Sequence, residues 1–137
     1  TEPASLTFRV LVAMAGVLGI GADLATWSQA DLDLGADLVG RYLDFRETVH
    51  TGRVERHGTP SDPTYAVEYG DPDRTVMFVF ARAGRPDQVT VQPRTLVQGA
   101  RYRVDGRVVS AEDLAAGLPI SFGLAEDADL VVLDRVE

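Results

Sequence analysis

The hydrophobic period of this chain changes once, near residue 52, and that change limits what it can fold into. Before it, residues 29–50 carry apolar side chains at helical spacing. Leu32, Ala36, Val39 and Leu43 form one stripe, and Leu38, Tyr42, Phe45 and Val49 form a second beside it. Two adjacent stripes make a wide apolar face, so the spacing predicts a helix buried over much of its surface. Ser28 with Asp31 three residues on is a weak capping pattern for its start, and Thr51-Gly52 supplies its stop. Gly35 and Gly40 each weaken such a helix by about 1 kcal/mol relative to Ala, which suggests close packing by another backbone.

After the change the text is short and alternating. Residues 53–64 are polar, with Gly58, Pro60 and Pro63, and read as a linker. Strand-like runs follow at 65–69, 75–82, 88–92, 100–104, 107–109, 119–122 and 130–136, and residues 111–116 suit one helical turn. Asp105-Gly106 between two runs is a two-residue hairpin signal. This spacing predicts an antiparallel β-sandwich over 65–137.

Ahead of the helix, residues 10–15 (VLVAMA) are apolar without a polar face, which predicts a strand covered on both sides. Gly16, Gly19 and Gly21 then open a loop. One strand and one helix have no sheet of their own to join. Residues 1–52 therefore read as the last β/α unit of something larger. Cut free, the strand would expose unpaired edges, so self-association through residues 1–52 is expected.

Hydrophobic residues make up 45% of the chain, enough for a packed core. A net charge of −8 argues against nucleic acid and anionic membrane as partners, because both need clustered positive charge. The absence of Cys excludes disulfides, thiolate catalysis and Cys-based zinc sites. Residues 10–22 look like the apolar part of a signal peptide, but Glu2 stands where a basic segment belongs. A cytoplasmic location is the expectation. The glycines of the loop fail the dinucleotide fingerprint, since Leu24 occupies its third glycine position, and no GK[ST] follows. His50 and His57 read as a solvent-exposed pair without the Cys partners of a metal site. Neither cofactor nor metal is expected. Most carboxylates fall in turns, where local hydrogen bonding selects Asp. Asp23 differs, because it sits in the glycine loop just after the apolar run. In a (β/α)8 barrel that position lies on the face where active sites are built.

Met14-Ala15-Gly16, the string LGIGADL at 18–24, and Trp27-Ser28 resemble the end of the bacterial α-galactosidases of the melibiase type, glycoside hydrolase family 36. Tyr42, Arg46, Val49 and Gly52 continue the likeness along the helix. Arg101-Tyr102-Arg103-Val104, Glu112-Asp113-Leu114 and Gly117-Leu118-Pro119 continue it into the sandwich. Phe45 and His50 depart from the family's usual aliphatic residue and Gln.

The resemblance implies an α+β fragment: the last strand and helix of a (β/α)8 barrel in residues 1–52, then an antiparallel β-sandwich. It implies a parent that hydrolyses terminal α-galactosides with retention and carries both catalytic aspartates upstream. No catalytic residue falls in this chain on that reading. Gly19, Gly21 and Asp23 would shape the rim of the substrate pocket without performing chemistry. The alternative is a stand-alone carbohydrate-binding or structural β-domain, which would want exposed aromatics from among Trp27, Tyr65, Tyr69 and Tyr102.

Overall fold

A computed structural model describes residues 4–15, 24–82, 84–123, 125 and 127–136. In chain order the elements are α1 (Leu6–Met14), a 3-10 turn (Leu24–Thr26), α2 (Gln29–Thr51), β1 (Arg53–His57), β2 (Thr64–Gly70) and β3 (Arg74–Ala81). They continue with β4 (Val89–Val91), β5 (Arg101–Val104), β6 (Arg107–Ser110), α3 (Ala111–Ala116), β7 (Leu118–Ile120) and β8 (Ala128–Val136). Six strands form one antiparallel sheet in the order β1-β2-β3-β8-β5-β6, while β4 and β7 pair separately.

The central strand β3 reads RTVMFVFA, apolar nearly throughout, and is buried along its length from Thr75. An antiparallel strand of that composition needs cover on both faces. Val76, Phe78 and Phe80 pack beneath α1 and α2, together with Val67 and Tyr69 of β2 and Leu130 of β8. On the opposite face Met77 and Val79 join Ala66, Tyr102, Val104 and Leu133 under the β4–β7 pair and α3. Two cores thus share one sheet. The helix side is rich in aromatics: Phe45 and Tyr69 each meet Phe78 edge-on, with centroids 6.0 and 5.9 Å apart.

The expected strand at residues 10–15 is a correction, because α1 occupies it. Read from Val10 alone the run has no polar face. Read from Ser5 it has a helical one, with Thr7, Val10, Leu11 and Met14 buried at spacings of three and four. Ser5 caps this helix by accepting a hydrogen bond from the Phe8 N–H at 3.0 Å. The same Ser5 donates its own N–H to Asp127 at 2.9 Å, which pins the start of α1 beside the start of β8. The unpaired strand edge on which self-association was expected is therefore replaced by a helix whose apolar face lies on the sheet.

The long helix occupies the expected residues, but only its second stripe, Leu38, Tyr42, Phe45 and Val49, is buried; of the first, Ala36 is exposed and Leu43 is 54% exposed, so the helix has one covered face and not a wide one. Ser28 accepts from the Asp31 N–H at 3.1 Å at its start. Trp27 explains Gly35, since a Cβ there would come 3.2 Å from the indole ring, whereas Gly40 faces open space. The stretch expected as a linker begins with β1, an edge strand paired with β2 from Arg53↔Gly70 to His57↔Ala66. Its sequence, RVERH, has too few apolar residues to announce a strand. Asp105 and Gly106 both adopt positive φ, +49° and +78°, as the β5–β6 hairpin requires.

The two readings of residues 10–15 make different demands. Leu11 is fully buried while Val12 is 50% exposed. Leu11→Ala should cost about 2–5 kcal/mol, and Val12→Ala should stay within about 0.5 kcal/mol, both measured by urea unfolding. Comparable losses at the two positions would point back to a strand covered on both sides.

Candidate functional site

The most demanding residue in the chain is Glu68, which lies in the middle of β2 with no exposure at all. Strand alternation turns it to the same face as Thr64 and Ala66, away from the helices. A buried carboxylate persists only where donors surround it. Glu68 accepts from the N–H of Arg94 at 2.9 Å, and from the N–H and Oγ1 of Thr95 at 2.7 and 2.6 Å. His57 of β1 completes the set, its Nε2 lying 2.7 Å from Oε1. The loop after β4 is thereby fastened to the sheet. Gly70 makes room for it, because a Cβ there would sit 2.1 Å from Thr95 Oγ1.

A pocket of about 420 Å³ opens beside this carboxylate. Thr64 and Ala66 of β2 line it, with His57 at the end of β1 and Thr90, Gln92 and Arg94 from β4 and its following loop. Thr64 Oγ1 is buried there and has no hydrogen-bond partner within the protein. An orphaned buried hydroxyl is uncommon in folded proteins and asks for an explanation. The Glu68 bond fixes the orientation of the His57 ring by its Nε2.

A second hollow of about 470 Å³ lies between α2 and the β8 edge. Arg74 crosses it, with Nη1 donating to the Asp44 carbonyl at 2.7 Å and Nε on Asp134 at 2.5 Å. Its charges are thus spent on joining helix to sheet. Elsewhere among the described residues, two ionisable groups are displaced from their ordinary range. Burial pushes the Tyr69 phenol up, partly opposed by the nearby Arg56, and its hydroxyl donates to the Ala15 carbonyl. The Gly99 N–H holds the Glu112 carboxyl below the usual range.

Gly19, Gly21 and Asp23, the expected rim residues, lie outside the described residues. The chain on either side of them is secured: Ala15 by Tyr69, and Trp27 by its contact with Gly35. The exposed pair of histidines needs correction. His57 is largely buried against Glu68, with its side chain 13% exposed, while His50 is exposed but bonded at 2.8 Å to the Tyr42 hydroxyl. Sequence reading missed the Glu68 site, because its donors come from a loop about 26 residues away. The one signal was a Glu in the centre of an apolar run, YAVEYG. Turn carboxylates behave as expected: Asp71 accepts from the N–H groups of Asp73 and Arg74 at 2.8 and 2.9 Å. Among the described residues no three His, Asp or Glu side chains gather as a metal site, and no helix is long and apolar enough to cross a membrane.

No protein-family model matches the chain, and no curated protein matches it. Solved structures do. The galactosidase domain of the α-galactosidase-sucrose kinase AgaSK superposes with a TM-score of 0.86 at 23% identity, over 98% of this chain and 20% of that one. The GH36 α-galactosidase AgaA from Geobacillus stearothermophilus, solved with raffinose, gives 0.85 at 23% identity over 98% and 20%. The α-galactosidase from Lactobacillus brevis gives 0.86 at 19% identity over 99% and 21%. The chain thus spans about a fifth of the length of the structures it matches, and at this identity the likeness is one of fold.

Two substitutions test the Glu68 site. Glu68→Gln replaces an acceptor oxygen by an amide that meets donors, and should destabilise the chain by about 3 kcal/mol in chemical denaturation. A loss below about 1 kcal/mol would show that the loop is held by other contacts. Thr64→Val removes a buried hydroxyl that has no protein partner, and should raise stability by about 1 kcal/mol. A loss instead would reveal that the hydroxyl is hydrogen-bonded in solution.

Proposed function

We propose that the chain is the non-catalytic C-terminal portion of a retaining α-galactosidase of glycoside hydrolase family 36. The carrying observation is the superposition on α-galactosidases at TM-scores of 0.82–0.86, over nearly all of this chain and about a fifth of theirs. The motif resemblance in residues 14–28 agrees with it independently of the fold.

Retention requires two carboxyl groups about 5–5.5 Å apart, one attacking the sugar and one passing the proton. Glu68 is unsuited to either role, because its oxygens already accept four hydrogen bonds from the protein besides the His57 contact. The catalytic aspartates belong to the parent's barrel, which needs about 250 residues. This chain buttresses that barrel. Residues Gly19, Gly21 and Asp23 shape the rim of the sugar pocket there, and α1 and α2 carry their connection onto the sheet through an apolar face. The substrate of the parent is a terminal α-galactoside.

The test is cleavage of a chromogenic α-galactoside by this chain and by the longer product of its gene. Hydrolysis by the longer protein alone is expected. Hydrolysis by the 137-residue chain itself, or by neither protein, would overturn the assignment.

A further inference from the structure

We infer that the outer apolar stripe of α2 is the seat of the parent's upstream catalytic body, so that the helix is covered on two sides in the longer protein. The existence of that body rests on the proposed function; its position rests on the helix.

The helix carries more apolar surface than the sheet covers. Leu38, Tyr42, Phe45 and Val49 are buried in the first core. Leu32, Ala36, Val39 and Leu43, at spacings of four, three and four, form a second stripe along about 16 Å of the helix. Leu43 is 54% exposed, Ala36 is exposed, and Leu32 and Val39 are partly so. A helix with a single neighbour places its charge on the outward face. Here Asp33, Asp37, Arg41, Asp44 and Glu47 gather on a third side instead, and Arg46 stands between the two stripes. Gly40 is a separate observation. Glycine weakens a helix interior, and Gly35 answers that cost by making room for Trp27. No described atom lies within 4 Å of a Cβ built at Gly40. It follows Ala36 by four residues and precedes Leu43 by three, so it borders the exposed stripe and leaves space for the close approach of another backbone.

The occupant is the upstream polypeptide and not a second copy. A stable pair of separate chains buries about 800 Å² on each side, more than four side chains supply. A segment of the same polypeptide is already held nearby, so a small patch suffices. In a two-fold pair the charged side of α2 would also come near its own copy, with four carboxylates against Arg41 in a chain of net charge −8. The α-galactosidase structures contain the chain that would do the covering, since 98% of this chain superposes on only 20% of theirs.

The test uses the absence of Cys, which makes Ala36→Cys the one thiol of the 137-residue chain. Alkylation of that position by N-ethylmaleimide is followed by peptide mass spectrometry in this chain and in the longer product of its gene. Roughly tenfold slower alkylation in the longer product is expected, while Asp37→Cys, on the charged side, should react at similar rates in both. Leu43→Glu should leave the melting temperature of the 137-residue chain unchanged and lower that of the longer product by about 3 °C. Equal alkylation of Ala36→Cys in the two proteins would overturn the interface, as would equal effects of Leu43→Glu. Dimerisation of the 137-residue chain that Leu43→Glu abolishes, with the thiol open in the longer product, would give the stripe to a second copy. Hydrolysis by a longer product whose thiol is open would sink the interface and leave the proposed function standing; a protected thiol without hydrolysis would do the reverse.

Discussion

The arrangement of the strands depends on one buried carboxylate. Glu68 sits at the crossing of three segments: its own strand β2, the neighbouring edge strand through His57, and the loop that leads from β4 towards β5. Moving a charge out of water is costly unless the protein replaces the lost hydration. Here two backbone N–H groups, a hydroxyl and an imidazole do so. The benefit is conformational. A loop whose amides have no sheet partner gains a fixed position, and Thr95 also reaches Thr75 Oγ1 of β3 at 3.0 Å. The second core lies against this anchored loop, with Leu96 and Val97 packed on it and the Val97 N–H donating to the Tyr102 hydroxyl at 2.8 Å.

The other face follows a different rule. Its packing is apolar and aromatic, with Phe8 edge-on to Phe80 at 5.1 Å and Tyr65 stacked on Phe80 at 6.3 Å. Polar bonds only locate the helices. Ser5 is held by Asp127 and Ala15 by Tyr69, while Thr48 donates to Asp71 at 2.6 Å from the last turns of α2. Helices and sheet therefore form one unit at residue 52 and not two bodies on a tether, since Gly52 lies so close to Gly70 that a Cβ would come 2.9 Å from its carbonyl oxygen.

The long helix was legible because its two apolar stripes together extend over about five turns, and the later strands because turn residues punctuate them. The β5–β6 hairpin was legible from Asp105-Gly106, a pair that tolerates positive φ. Residues 10–15 were not, since a short apolar run satisfies a buried strand and a buried helix equally; the polar positions that distinguish them, the cap Ser5 and the exposed Arg9, lay upstream. Strand β1 was hidden for the opposite reason. At an edge it is stabilised by its ladder with β2 and not by burial, so its composition is that of a loop.

The sequence by itself determined the long helix, the order of elements after residue 64, the alternation that gives the sheet two apolar faces, and the absence of any thiol chemistry. Only the tertiary structure decided that β8 inserts between β3 and β5, and that α1 covers the sheet. It alone brought Glu68, His57 and Arg94 to one place. Periodicity is a local property that each segment carries along its own length. A buried charge and the donors that satisfy it are brought together by chain closure over tens of residues, and no local spacing records which partners will meet.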